Sequence, residues 1–349
     1  MKRIGIVFGG RSGEHDISLM SAASVLEAID RTKYTPVMIG IDLDGGWHIC
    51  PEDAQAIVDG SWQKLSVPLD FGMLKETVDF VLPVLHGTLG EDGTIQGLFE
   101  MMDIPYGGCG VLASAICMDK AMAKDIFLRN GIPTCAYQVV TGEEIEEDLP
   151  GVVRSLRSYF RSPVFVKPSN AGSSLGISRA STSAEIGRAL LLAASYDRRV
   201  LVEAAIDGLE VETAVIGNSV IKVGAIGAIT TPSEFYDFDA KYNDDSGTQL
   251  IIPAPLSKSI AEEVTSIAKK AYIATDCCGF ARVDFFVERR TGKVLVNEIN
   301  TIPGLTKYSL FPRLWQEVGI SFTEILDRII ELGYERYYDK NRRQTIRRR

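Results

Sequence analysis

Apolar residues in this chain gather in short unbroken runs, separated by longer stretches whose apolar positions recur with a helical period. Residues 3–8, 35–41 and 78–84 read as buried strands, and 16–29 reads as a helix after the glycine turn at 9–13. Strands alternating with helices predict a parallel sheet covered on both faces, with a hairpin-like excursion around Trp47. Ligands of such sheets bind beyond the carboxyl ends of the strands, here at 9–14 and 86–93. A second unit opens near Ser114. It has helices at 118–130, 152–159 and 184–193 and strands at 164–167 and 199–204, and Gly131-Ile132-Pro133 stops the first helix. A third opens near Ile206, with strands at 210–217 and 221–229, a polar loop at 231–248 and a helix at 257–274. Two strand-like runs within 281–300 and a terminal helix near 322–332 complete it. The expected class is α/β, with domains at 1–113, 114–205 and 206–335 and a basic tail at 336–349.

The segment 281–300, ARVDFFVERRTGKVLVNEIN, is the most informative. Its two runs flank Arg290-Thr291-Gly292, and glycine at the last loop position suits the left-handed residue of a three-residue hairpin loop. Pairing centred on Thr291 sets Asp284 opposite Glu298 and Arg282 opposite Asn300, all on one face. Two carboxylates directly across a ladder repel by roughly 0.2–1 kcal/mol unless a cation lies between them. Magnesium is the expected cation, because it prefers few hard oxygen ligands and keeps room for water and phosphate. The competing reading is a solvated polar face. Val283, Phe285, Leu295 and Ile299 are expected on the opposite, apolar face, and Phe286, Val294 and Val296 among the carboxylates. A solvated face rarely keeps such company, so a site is expected.

Composition narrows the class. A chain of 349 residues, 46% apolar and 24% charged, is that of a soluble enzyme of two or three domains. The net charge of -9 argues against a nucleic-acid surface. The arginines of 342–349 are the exception and are expected to solvate a chain end. No apolar run reaches the roughly 18 residues of a membrane span, and MKRIGIVFGG enters a strand, so a cytoplasmic protein without a membrane partner is expected. Six cysteines without CxxC spacing indicate neither zinc nor disulfides.

Two further stretches carry candidate chemistry. KPSNAGSSLG at 167–176 is a strand end followed by small residues whose backbone N–H groups can cradle phosphate, although it lacks the GxxxxGK[ST] order of a P-loop. Alone it reads as a plain connector. Lys120, near a helix start, and Lys167, at a strand end, would reach phosphates as compact cations. Glu203 and Glu210, in VEAAIDGLEVE, flank the junction of the second and third units. They are candidates to accept from a nucleotide's exocyclic amine and ribose hydroxyls, against the plainer reading of exposed junction charge.

FGGRSGEHDIS at 8–18, LHGTLGEDGTIQG at 85–97, MDK at 118–120, KPSNAGSSLG at 167–176, FYDFDAKY at 235–242, ARVDFF at 281–286 and NEINTIPGLTKYSLFP at 297–312 together resemble the ATP-grasp superfamily. Within it the chain is similar to the D-alanine–D-alanine ligases from about residue 2 to 332. The resemblance implies a three-domain ATP-grasp architecture, an N-terminal parallel-sheet domain followed by two α+β domains clasping ATP. It also implies the reaction. One D-alanine carboxylate attacks the γ-phosphate of ATP, and the amino group of a second D-alanine attacks the acyl phosphate, giving the dipeptide of peptidoglycan precursors. Asp284, Glu298 and Asn300 would hold two Mg²⁺ ions, with Mn²⁺ as a substitute and Glu298 bridging. Lys120, Lys167, Ser174, Lys241, Glu203 and Glu210 would contact ATP. Glu14 would bind the ammonium of the first D-alanine in a set with Ser173 and Tyr242, and His86 would lie near the transferred group. Arg282 and the N–H of Gly304 would stabilise the oxyanion, and Ser309 and Leu310 would line the second D-alanine subsite. The loop 231–248 would be a lid, and the assembly a homodimer.

The resemblance also bears on the acceptor. Tyr242 stands where D-lactate ligases carry cationic or histidine-bearing sequence, and Leu310 stands where D-serine ligases tend to have arginine. An apolar Leu would leave a serine hydroxyl unpaired at a cost of about 1–3 kcal/mol, which favours D-alanine. Two departures from the family pattern are Thr306-Lys307-Tyr308 for the commoner Thr-Ser-His and Ala204-Ala205 for bulkier hinge residues. The rival readings are a D-Ala-D-Ser or D-Ala-D-lactate ligase of the same fold and a non-catalytic ATP-binding regulator. Intact Arg282, Asp284, Glu298 and Asn300 speak against the regulator.

Overall fold

The computed structural model describes residues 1–161, 163–172, 175–230 and 249–343. Strands Lys2–Gly9 (β1), Tyr34–Ile41 (β2), Trp47–Cys50 (β3), Val67–Pro68 (β4) and Phe80–Pro83 (β5) form one sheet in the order β4-β3-β2-β1-β5. Its centre is parallel, β1 pairing with both β2 and β5. The hairpin-like excursion expected around Trp47 forms one edge, where β3 and β4 add antiparallel. The link from β2 to β3 is a tight turn closed by Gly46 N on Asp42 Oδ1 at 2.7 Å, and a link that short permits only antiparallel pairing. Helix His15–Ala28 covers one face through Leu19, Ala22, Val25 and Leu26.

The second sheet is antiparallel, in the order β6-β9-β7-β8, from Tyr137–Thr141 (β6), Val164–Pro168 (β7), Ser178–Ala180 (β8) and Arg199–Ala204 (β9). Helices Gly142–Tyr159 and Ser183–Ala194 pack on it, each opened by a capping box, Thr141 with Glu144 and Thr182 with Glu185. The first of these starts well before the expected 152, because its capping box lies upstream of the kink at Asp148 and of Pro150.

The third sheet runs β12-β11-β10-β13-β14, from Gly208–Ile216 (β10), Lys222–Thr230 (β11), Gln249–Ile251 (β12), Phe280–Glu288 (β13) and Val294–Asn300 (β14). Helix Lys258–Ala274 covers it, and Ala113, Cys117, Ala123 and Phe127 from helices Val111–Met118 and Lys120–Arg129 complete the same core. The terminal helix Phe322–Arg343 returns to the first sheet, where Ile325, Leu326, Ile329 and Ile330 join Ile4, Ile6 and Phe80. That helix outruns its expected end and takes up 336–343, which were expected to be basic tail. Arg336 explains why: it donates to Tyr106 Oη at 3.0 Å and lies 3.9 Å over that ring, so the period continues onto a docked face. All six cysteines are unpaired thiols.

β13 and β14 pair as expected at the critical end, Asp284 opposite Glu298 and Arg282 opposite Asn300. They reach that register by a different route. The loop closes one residue off the Thr291 centre, with Glu288 N on Lys293 O at 2.9 Å, and Gly292 takes the left-handed conformation at φ 72°. A bulge at Asn297 then restores the register, since Phe285 faces Val296 while Asp284 faces Glu298. The shift flips the faces between loop and bulge. Val294 and Val296 therefore lie in the helix-covered core with Val287 and Phe285, not among the carboxylates, and Leu295 is opposite Phe286 on the carboxylate side.

The first and third sheets meet at a close backbone contact. Gly279 has φ 69°, and a Cβ there would lie 2.9 Å from Gly108 Cα and 3.0 Å from Gly108 N. Gly279→Ala is expected to destabilise the fold by about 1–3 kcal/mol from left-handed strain alone. Thermal denaturation checks this, and an unchanged midpoint would show that the junction yields.

Candidate active site

Three carboxylates stand abreast on neighbouring strands, Glu212 of β10 opposite Asp284 of β13, and Asp284 opposite Glu298 of β14. Sequence reasoning took Glu210 but missed Glu212, although Glu-Val-Glu on a strand puts both on one face. Arg282 answers part of this charge. Its guanidinium binds Asp284 through two N–H groups at 2.8 and 2.7 Å, and its Nε is 2.7 Å from Glu212 Oε2. Burial opposes the charge on Arg282, but Asp284 and Glu212 outweigh it and hold its pKa well above the ordinary value. Asn300 Nδ2 donates to Asp284 Oδ2 at 3.2 Å, and Lys120 Nζ is 3.5 Å from Glu298 Oε2. Asp284, Glu298 and Asn300 thus form an oxygen-bearing set at the end of one hairpin. Among the described residues no group of three or more His, Cys, Asp or Glu is placed to hold a metal ion. Two carboxylates and an amide suit a hard cation that takes its remaining ligands from water and phosphate, as magnesium does.

Lys120 opens helix Lys120–Arg129, whose N-cap Asp119 accepts from Met122 N and Ser169 Oγ and pairs with Arg199. Lys120 Nζ also donates to Ala171 O at 2.7 Å, which ties this helix to the glycine loop. Lys167, at the end of β7, ion-pairs with Glu203 of β9. Against the plainer reading of exposed junction charge, Glu203 is 3% exposed, with Lys124 Nζ 2.6 Å from its other oxygen. Burial alone would raise the Glu203 pKa, yet Lys124 and Lys167 together pull it down to about 2. Lys124 was missed because its role depends on two partners far away in sequence. Glu210, on β10 opposite Phe286, points to the same face as the carboxylate row.

Glu14 is the N-cap of helix His15–Ala28, as expected. Its carboxylate lies between two glycine turns: a Cβ at Gly87 or at Gly172 would come within 2.5 or 2.7 Å of Glu14 Oε2. His86 is buried beside it. Nδ1 must donate to the Ile302 carbonyl at 3.0 Å, so Nε2 of the neutral ring accepts from Ser21 Oγ at 2.9 Å. Burial lowers the His86 pKa, while the Glu14 charge works in the opposite direction. Glu91, absent from the sequence reading, accepts from Gly87 N at 3.1 Å, and burial, with the Glu14 charge adding to it, pushes its carboxyl up to about 8.

Ser309 is the N-cap of helix Leu310–Gln316, with its Oγ 2.7 Å from Thr306 Oγ1, and a Cβ on Gly304 would meet it at 2.7 Å. Leu310 is buried beside it and packs toward Gly227 of β11. Ser173, Ser174, Lys241, Tyr242 and the expected lid 231–248 lie outside the described residues.

Residues 3–109 match the family described as D-ala D-ala ligase N-terminus, and residues 126–331 that described as D-ala D-ala ligase C-terminus. The chain belongs to the D-alanine–D-alanine ligase family. A D-alanine–D-alanine ligase of Acetivibrio thermocellus is 44% identical over 366 residues, spanning 97% of this chain and 97% of that one. Among solved structures, the VanG D-Ala:D-Ser ligase from Enterococcus faecalis matches with a TM-score of 0.86 at 34% identity, over 95% of this chain and 99% of that chain. The D-alanine-D-alanine ligase from Coxiella burnetii matches with a TM-score of 0.85 at 32% identity, over 98% of each. The ATP-grasp fold expected from the motifs is thereby established for this member of the ligase family.

The raised pKa of the Glu91 carboxyl ties the stability of the fold to pH. A carboxyl whose folded pKa is raised from 4.5 to about 8 stabilises the fold fully below 4.5, and that contribution is lost as pH rises through 8. Glu91→Gln stays neutral and can still accept from Gly87. It is expected to gain stability over the unmodified chain as pH climbs across that window. Thermal midpoints measured against pH check it, and parallel profiles would place the Glu91 carboxyl at an ordinary pKa.

Proposed function

We propose that this chain joins two D-alanines into D-alanyl-D-alanine with hydrolysis of ATP to ADP and phosphate, for peptidoglycan precursor synthesis. One observation carries the reading beyond family membership. Arg282, in the carboxylate row, and Glu14, at the first helix, both exert their charge on the same two buried groups, His86 and Glu91. The acids suited to a metal and the acid suited to an ammonium therefore bear on one space.

In this reading Glu14 takes the ammonium of the first D-alanine, which leaves its carboxylate free to attack the γ-phosphate. Lys120 and Lys167 bind the phosphates as point charges, and Glu203 and Glu210 serve the nucleotide at the junction. Asp284, Glu298 and Asn300 would hold magnesium or manganese, which would offset the repulsion between ATP and a carboxylate. The second D-alanine binds by Ser309 and Leu310, and its amino group attacks the acyl phosphate. Arg282 and the N–H of Gly304 then meet the developing oxyanion. Ser174 and Lys241 are assigned to ATP, Ser173 and Tyr242 to the set around Glu14, and the segment 231–248 to the lid that would exclude water from the intermediate. The three domains expected at 1–113, 114–205 and 206–335 form the clasp, with the terminal helix extending the third to Arg343 and the helices at 111–129 packed into its core, in a cytoplasmic homodimer with neither nucleic-acid nor membrane partners. The apolar Leu310 supports D-alanine over D-serine as acceptor.

Phosphate release from ATP is expected with D-Ala and not with L-Ala or without an amino acid. Nucleotide binding without D-Ala-dependent release would favour the non-catalytic regulator. Product chromatography with competing D-Ser and D-lactate is expected to return chiefly D-Ala-D-Ala, and an excess of D-Ala-D-Ser would reassign the acceptor. Glu298→Gln is expected to weaken Mn²⁺ binding on the order of tenfold or more, together with turnover. Unchanged turnover at limiting Mg²⁺ would remove Glu298 from the metal set.

A further inference from the structure

Lys124 is completely buried, and a buried ammonium survives only where anions or carbonyls surround it. Its Nζ lies 2.6 Å from Glu203 Oε1, donates to Thr134 Oγ1 at 2.9 Å and reaches the carbonyl of Asn297 at 3.4 Å. Asn297 is the bulge residue of β14. The residue a bulge inserts is left out of the ladder, so its carbonyl needs a donor from elsewhere. Thr134 works on the same segment, donating to Val296 O at 2.8 Å, while Val296 N donates to Pro133 O at 2.8 Å. Lys120 and Lys124 are four apart on one helix and share a face. The first is placed at Glu298 and the second at the neighbouring Asn297 carbonyl, so the helix docks in register along β14.

The other side of Lys124 concerns Lys167. Both ammoniums share the single carboxylate of Glu203. With two cations on one anion, Lys167 keeps charge to offer a phosphate. Without Lys124, Glu203 and Lys167 would become a neutral pair, and the bulge would lose its donor at the residue next to Glu298.

We infer that Lys124 is a positioning residue of the ligation site: one buried ammonium holds the bulge that sets the carboxylate register and shares the anion that orients Lys167. The inference rests on the proposed function, since it takes Lys167 as a phosphate ligand and Glu298 as a metal ligand.

Lys124→Met keeps the length and apolar stem while removing the charge. In the full chain with ADP, Mn²⁺ affinity measured by electron paramagnetic resonance is expected to fall by about 10–100-fold. KM for ATP is expected to rise with it, while KM for the first D-alanine, set at Glu14, stays. A purely structural role would lower the thermal midpoint but leave the Mn²⁺ affinity of the folded fraction unchanged, and that result overturns the inference. If Lys124→Met does not fold, Thr134→Val decides. It removes one support of the same ammonium and one donor to β14, so weakened Mn²⁺ binding supports the inference and unchanged binding overturns it. An unmodified chain that binds Mn²⁺ and ADP but releases no phosphate with D-alanine would defeat the proposed function and leave the Mn²⁺ comparison standing.

Discussion

Like charge held at close quarters governs this molecule. Glu212, Asp284 and Glu298 lie side by side across three antiparallel strands, a placement that a ladder disfavours unless cations intervene. Arg282 is locked between the first two and Lys120 is drawn to the third. A few ångströms of backbone register decide whether these groups meet at all. That register is set by a bulge, the bulge is braced by a buried lysine, and the lysine comes from a helix that belongs to another part of the chain.

The wider fold supplies what the hairpin lacks. The first sheet ends in turns that present Glu14 and His86, and the antiparallel four-stranded sheet delivers Lys167 and Glu203. The long terminal helix fastens the third sheet's end of the chain back onto the first sheet through Ile325, Ile329 and Ile330. Groups proposed to share one site are thus carried on separate elements: one core runs through the first and third sheets, and another packs the four-stranded sheet. Such an arrangement suits a reaction in which two amino acids and a nucleotide must enter, be shielded from water and leave.

Much of this was legible in the sequence. The alternation of strands and helices predicted the parallel centre of the first sheet, and the glycine at 292 marked the hairpin. The opposition of Asp284 and Glu298 was also predicted, but through two offsetting differences: a loop closed one residue early and a bulge that restored the count. Periodicity cannot reveal a bulge, so Val294 and Val296 were assigned to the wrong face. Lys124, Glu212 and Glu91 escaped for a related reason. Each looks like an ordinary surface residue locally, and only tertiary packing buries it against a partner or a backbone N–H. Glu203 was found, but its two lysine partners were not foreseen. The terminal helix was cut short because Arg336 reads as part of a basic tail until the Tyr106 ring appears beneath it.

On the proposed function, the opposed carboxylates of β13 and β14 receive a divalent ion beside a nucleotide. A crystal structure with ADP and Mn²⁺, read by anomalous scattering at the manganese edge, decides this. A peak ligated by Asp284 and Glu298, with Asn300 completing the protein's share, is expected. A well-occupied nucleotide with no peak at those residues, or a peak held by other side chains, would remove the hairpin from the metal site.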